Sequence, residues 1–386
     1  MIAGPLELPD RIDRVRDWMR SEQLDSVVVS GQIAVNHIAG YWRYFGSPAA
    51  AIVEPDGPLT VVVVHDEVAG ARELLPDAVV HGYGKRGFGL VPDPVPQLVE
   101  RVVREPSIAD VSRIGVGGQD GAFRSALAEA LSCVQVDAEP ELAAIRIVKD
   151  AREILALARA YELAWVAQHS VGEQLREGIT EIELFSAAQS AAQVAAGEPI
   201  EFFGDLLCGA RTAEVCAPVR VAGATALRSG DALIADLVVG LRGYWGDTAE
   251  TLAVAGNTEV LEVRDRLVTV RETCARELVP GRRASEVYEL MSEEIAGAFP
   301  EGEFPHHGGH ALGLGSYEAP HIIADDHSLL ERGMVIALEP GVYFPGRWGA
   351  RVEQTYLVED EGGVELMDAA SAATDDREHA RVEHQL

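Results

Sequence analysis

The sequence predicts a two-domain protein of α/β class, α+β in its second half. Three observations carry this. In the first third of the chain, short apolar strands alternate with amphipathic helical segments, as in an α/β domain. Helical patterning then runs on to about residue 196. A strand-rich region follows, and it holds two hairpins that each carry a pair of acids. A chain of 386 residues is long enough to bury two cores.

Residues 9–24 read as an amphipathic helix, with Ile12, Val15 and Met19 on one face. Residues 26–30 are a short apolar strand, and residues 33–45 read as a polar and aromatic loop. Strands at 49–53 and 59–64 are joined by Pro-Asp-Gly turn chemistry. Residues 97–104 and 123–131 are helical, and 114–116 add a strand. Residues 139–160 form a long helical stretch that should contain the domain junction. The expected boundaries are 1–142, 143–368 and a polar tail at 369–386 that should fray. His379 and His384 in that tail read as solvent residues. In the second domain, strands fill about 202–251, and helices follow at about 259–278 and 284–298. No short-period repeat is visible, although the recurring acid-bearing hairpin hints at an internal duplication.

Residues 233–251 read LIADLVVGLRGYWGDTAET, two apolar halves around a Gly-Leu-Arg-Gly centre suited to a tight turn. With the turn centred on Leu241 and Arg242, Asp236 and Asp247 stand directly opposite each other, their Cβ atoms ~5 Å apart. Like charges so placed destabilise a sheet, and a bound divalent cation is the simplest reason for two carboxylates there. Residues 334–358, MVIALEPGVYFPGRWGARVEQTYLV, repeat the arrangement, with Glu339 and Glu353 symmetric about Gly346. Between the hairpins lies HHGGH, with His306, His307 and His310. Four carboxylates and an imidazole suit hard or borderline divalent ions, Mn²⁺ first and also Co²⁺ or Zn²⁺.

The net charge of −30, from 62 acids and 32 bases, argues against nucleic acid or an anionic membrane as a partner. Cys133, Cys208, Cys216 and Cys274 include no CxxC pair, so neither a thiolate zinc site nor a redox dithiol is indicated. A reducing cytoplasm is the expected compartment. The start, MIAGPLELPDRIDRV, lacks the basic-then-apolar pattern of a signal peptide. The longest apolar runs, such as 59–64, are strand-length and far short of a membrane span.

Six pieces in order resemble the pita-bread metallopeptidases: Xaa-Pro aminopeptidase, Xaa-Pro dipeptidase and creatinase-like relatives. They are IRIVKDAREI, GITEIEL, SGDALIADLVVGLRGYWGDTAET, HHGGHALGLGSYEAPHI, GMVIALEPGVY and ARVEQTYLV, spanning about 145–360. The resemblance implies a creatinase-like N-terminal domain followed by a pita-bread catalytic domain, and a homodimer. It also implies five ligands, Asp236, Asp247, His310, Glu339 and Glu353, for two divalent ions. Such ions lie ~3.5–4 Å apart and activate a water against the scissile carbonyl. By the same resemblance Glu339 relays the proton, His306 assists substrate or the tetrahedral intermediate, and Arg351 lies near the substrate carboxylate, which an Arg can grip bidentately.

Three departures from the family pattern stand out. Val219 occupies the place of a histidine after the proline, and Tyr317 the place of a histidine before Glu318. Val donates no hydrogen bond, whereas the Tyr hydroxyl does without charging at neutral pH. Glu250 replaces an arginine in the Asp-x-Thr-Arg-Thr segment. Val219 and Tyr317 count as substrate-side positions, and Tyr317 also as a candidate catalytic donor. The expected activity is hydrolysis of a dipeptide, short peptide or amino-acid amide. The alternatives are a C–N hydrolase or lyase on a small amino-acid-like metabolite, or a binding protein without catalysis.

Overall fold

The computed structural model describes residues 10–43, 46–85, 91–214 and 221–371. The chain divides between Arg146 and Ile147 into two compact units.

The first unit contains strands β1 (Ser26–Ser30), β2 (Ala50–Val53), β3 (Thr60–Val64), β4 (Val79–Tyr83), β5 (Arg113–Gly117) and β6 (Val134–Asp137). They form one mixed sheet in the order β4-β3-β2-β1-β5-β6. Its helices are α1 (Arg11–Glu22), α2 (Gln32–Ala39), α3 (Val68–Leu74), α4 (Pro94–Val102), α5 (Pro106–Ala109), α6 (Gly121–Ala130) and α7 (Glu139–Ile147). Val27, Val28 and Val29 of β1 are all fully buried, as a strand covered on both faces requires. In α1, Val15 and Met19 are buried, and Asp10 caps the helix by accepting from the Ile12 N–H. The loop expected over 33–45 is corrected here, since α2 occupies its first half. Ala34, Val35 and Ile38 recur at helical spacing, and Gly40 closes the helix at φ 68°. The buried polar Asn36 and His37 hid that stripe.

The second unit begins with α8 (Ala151–Gln174) and α9 (Glu181–Ala196). Asp150 with Glu153, and Thr180 with Glu183, form capping boxes that restart the helix at each place. The continuous helical stretch read from 139 is therefore three helices, and the expected boundary at 142 falls inside α7. Strands β7 (Glu201–Cys208), β8 (Ala232–Leu241) and β9 (Tyr244–Ala253) make a three-stranded sheet in that order. Leu163, Ala167 and Leu184 of α8 and α9 pack with Leu206, Leu233 and Leu237 of the sheet. At Gly246 of β9 a Cβ would come within 2.2 Å of the Tyr161 nitrogen, so α8 lies directly on this strand.

Helices α10 (Thr258–Ala275) and α11 (Ala284–Ala298) cover a second sheet. The strands of this region are β10 (Gly309–Ala311), β11 (Glu318–Ile322), β12 (Val335–Leu338), β13 (Gly341–Phe344), β14 (Trp348–Arg351), β15 (Gln354–Glu359) and β16 (Gly362–Glu365). Five of them order as β11-β10-β12-β15-β16, while β13 and β14 form a separate hairpin. Leu267, Met291 and Ile295 of the helices share a core with Ile336, Leu338 and Val358 of the sheet.

Candidate metal centre

The first hairpin turns one residue later than the sequence suggested. Arg242 and Gly243, at φ 50° and 82°, are the two turn residues, and Leu241 pairs with Tyr244. Two positive φ values match the twist of the strands better than a turn on Leu241 and Arg242 could. Asp236 therefore pairs with Ala249, and Asp247 with Val238. The expected direct opposition of Asp236 and Asp247 is corrected to a diagonal one. Because the pairing slips by an even step, both acids stay on the same face.

In the second hairpin Leu338 pairs with Gln354, and Gly341 with Arg351. The expected register thus holds on both sides of Glu339 and Glu353, where the ladder is interrupted. The freed backbone groups find other partners: Glu339 N donates to Gly308 O at 3.0 Å, and Glu353 N to Ala249 O at 2.8 Å. The latter bond ties the second hairpin to β9. Buried threonines add to that seam. Thr251 Oγ1 bonds both the O and N of Arg351, and Thr355 Oγ1 donates to Asp247 O. These bonds bring the acids of two hairpins into one cluster.

Asp247, His310 and Glu353 each offer a ligand atom within 4.8 Å of the others, and so do Asp236, Glu339 and Glu353. All five expected ligands thus meet, with Glu353 common to both trios. His310 Nδ1 lies 3.1 Å from Ala311 O. A carbonyl only accepts, so Nδ1 carries the hydrogen and Nε2 presents a lone pair. That lone pair faces Asp247 Oδ2 and Glu339 Oε1, each 3.7 Å away. Burial holds the His310 pKa below its ordinary value, which keeps Nε2 an acceptor. Asp247 Oδ1 and Glu353 Oε1 are buried without a hydrogen-bond partner among the described residues. Orphaned buried acceptors are costly, and a cation removes that cost.

The titrations reflect the same crowding. Burial, then repulsion between neighbouring carboxylates, lifts Asp247 and Glu353 well above the usual carboxylate range. Burial pushes Asp236 up to about 7 against the pull of Arg351. Glu339 goes the other way: burial opposes its charge, but the His307 bond and the nearby imidazoles hold it down at about 2. Four carboxylates of which three resist ionisation, one imidazole lone pair and two orphaned oxygens fit divalent metal ions.

A cavity of about 580 Å³ opens beside these groups. His306, Tyr317 and Arg351 line it, and Phe203, Val221 and Val238 supply apolar wall. Val219 lies outside the described residues. His306 Nδ1 donates to His307 O at 2.7 Å, leaving Nε2 to accept from Tyr343 Oη at 3.0 Å. Burial lowers the His306 pKa to about 4, so the ring is neutral. His306, His307 and Glu339 also converge, but both nitrogens of His306 are already used. The Tyr317 ring stacks on His310 with centroids 4.0 Å apart, and its hydroxyl bonds His307 Nε2. His307 Nδ1 in turn sits 3.1 Å from Glu339 Oε1. Arg351 is 3% exposed, and its Nη2 contacts Asp205 Oδ2 at 3.0 Å and Asp236 Oδ2 at 2.9 Å. Its Nη1 donates to Tyr343 Oη at 3.2 Å.

Two of these residues escaped the sequence reading. Asp205 is an acid in the apolar run FFGDLL, a signal of the kind that marked Asp236. Tyr343 bears no such mark, since a Tyr in a strand is ordinary. No helix among the described residues is long and apolar enough to cross a membrane.

Residues 156–360 match Metallopeptidase family M24, and residues 11–148 match the Creatinase/Prolidase N-terminal domain. A probable dipeptidase PepE of Mycobacterium tuberculosis is 32% identical over 243 residues, covering 62% of this chain and 64% of the relative. A Xaa-Pro dipeptidase of Pyrococcus furiosus is 30% identical over 224 residues, covering 58% and 63%. The chain thus spans a little under two thirds of the length of these relatives. The solved prolidase from Pyrococcus furiosus has the same fold, with a TM-score of 0.73 at 24% identity, covering 91% of this chain and 98% of that one.

Proposed function

The chain belongs to metallopeptidase family M24, and from that premise we propose that it is a metal-dependent hydrolase of the Xaa-Pro peptidase type. Its substrate is a dipeptide, short peptide or amino-acid amide. Asp236, Asp247, His310, Glu339 and Glu353 hold two divalent ions, Mn²⁺ by preference, with Co²⁺ or Zn²⁺ accepted by the same donors. Bound there, such ions polarise a carbonyl and acidify a water.

The chain's own residues do the rest. Glu339 is held ionised and receives a proton at Oε1, with His307 Nδ1 3.1 Å away. Tyr317 turns its hydroxyl from His307 Nε2 to the carbonyl oxygen that gains charge. The neutral His306 ring forms the facing wall, its orientation set by Tyr343 and the His307 carbonyl. Resemblance supports a homodimer, and the cysteine pattern a reducing cytoplasm.

The observation that carries this reading is the convergence of the five side chains, in which Asp247, His310 and Glu353, and again Asp236, Glu339 and Glu353, bring ligand atoms within 4.8 Å of one another. The test is metal analysis after Mn²⁺ or Co²⁺ supplementation, followed by assay of Xaa-Pro dipeptides beside a panel of amides. Fewer than one ion per chain would sink the proposal. Tyr317 favours a second reading, a C–N hydrolase or lyase on a small amino-acid-like metabolite, because its hydroxyl is a neutral donor. Turnover confined to non-peptides would select it.

A further inference from the structure

We infer that Asp205 withdraws Arg351 from carboxylate recognition, so that the site favours substrates whose leaving portion carries no free carboxylate. This rests on the hydrolase reading above and narrows its substrate class. Asp205 on β7 stands directly opposite Asp236 on β8. Both send an oxygen to the same Nη2 of Arg351, at 3.0 and 2.9 Å.

A guanidinium grips a carboxylate bidentately through an edge of two adjacent nitrogens. Either such edge, Nε with Nη2 or Nη1 with Nη2, runs through Nη2. Nη2 already donates to Asp205 and lies in ion-pair contact with Asp236. Nε is buried and unpartnered among the described residues, and Nη1 donates to Tyr343. Only single hydrogens remain for a substrate. Charge argues the same way. If a metal ion takes up the charge of Asp236, the Arg351–Asp205 pair is still neutral, and a second carboxylate would find no net attraction. An amide, ester or continuing peptide chain meets no such penalty, and the apolar wall of Phe203, Val221 and Val238 suits an uncharged group.

The test compares kcat/KM for a Xaa-Pro dipeptide and for its C-terminal amide, using metal-loaded wild type and Asp205→Asn. In parallel, calorimetry compares the binding of proline and prolinamide. Wild type should favour the amide by about tenfold or more, and Asp205→Asn should shift the ratio toward the free acid by about tenfold. Wild-type preference for the free acid, or a ratio unmoved in folded Asp205→Asn, overturns the inference. If neither substrate turns over, the hydrolase reading fails and calorimetry decides this one: prolinamide must bind wild type more tightly than proline, and equal binding or none overturns it. Should Asp205→Asn not fold, Asp205→Ser replaces it, and the wild-type comparison stands without either.

Discussion

Stripping metal from the site should make the fold lose stability as the pH rises from about 4 to about 7. Burial raises the Asp236 carboxyl from 3.8 to about 7 in the folded, metal-free protein. A folded-state pKa above the unfolded one means the fold favours the neutral acid. Below pH 3.8 both states are protonated and nothing is lost. As the pH climbs, the unfolded chain gains by ionising and the folded chain cannot follow until about pH 7, after which the deficit is constant. At about 1.4 kcal/mol per pKa unit, Asp236 alone removes about 4 kcal/mol. Asp247 and Glu353 are raised as well and act in the same direction. Glu339 is lowered, to about 2 from 4.5, so its contribution is complete above pH 4.5 and is lost only below that window. A loss of this size is a large part of the ~5–15 kcal/mol that holds a typical domain together. The assay is denaturant unfolding at pH 5 and pH 8, with chelator and with Mn²⁺. The chelated protein should weaken sharply between the two values, and the Mn²⁺ protein should weaken much less. Equal pH dependence with and without metal would refute the clustering argument.

Two further outcomes follow from single contacts. Tyr317→Phe should lower kcat about 10²-fold while moving unfolding by less than about 1 kcal/mol, since only one half-exposed hydroxyl is lost; unchanged kinetics would show that Tyr317 only fills space. Gly246→Ala puts a Cβ 2.2 Å from the Tyr161 nitrogen of α8 and should cost about 1–3 kcal/mol or more, with weaker metal binding because Asp247 is the next residue; a shift under about 0.5 kcal/mol by urea unfolding would contradict the close packing of α8 on β9.

Much of this site was legible because short-range pattern carries it. Acids on one face of an apolar strand are conspicuous, and strand parity keeps them on that face even when the turn is misplaced by one residue. That is why Asp236 and Asp247 survived a wrong turn, and why Glu339 and Glu353 needed no correction. Helix α2 was missed because Asn36 and His37 are buried, and burial of polar groups follows from neighbours, not from spacing.

By itself, the sequence determined the two-domain α/β class, the acid pairs on their hairpins and the histidine segment between them, all consequences of local periodicity. Only the tertiary structure decided that the two hairpins join through Thr251, Thr355 and the Glu353–Ala249 bond, that His310 offers Nε2, and that Arg351 is bound by Asp205, Asp236 and Tyr343. Those facts depend on which groups meet across a hundred residues of chain, and a hydrogen bond at such separation leaves no period along the sequence.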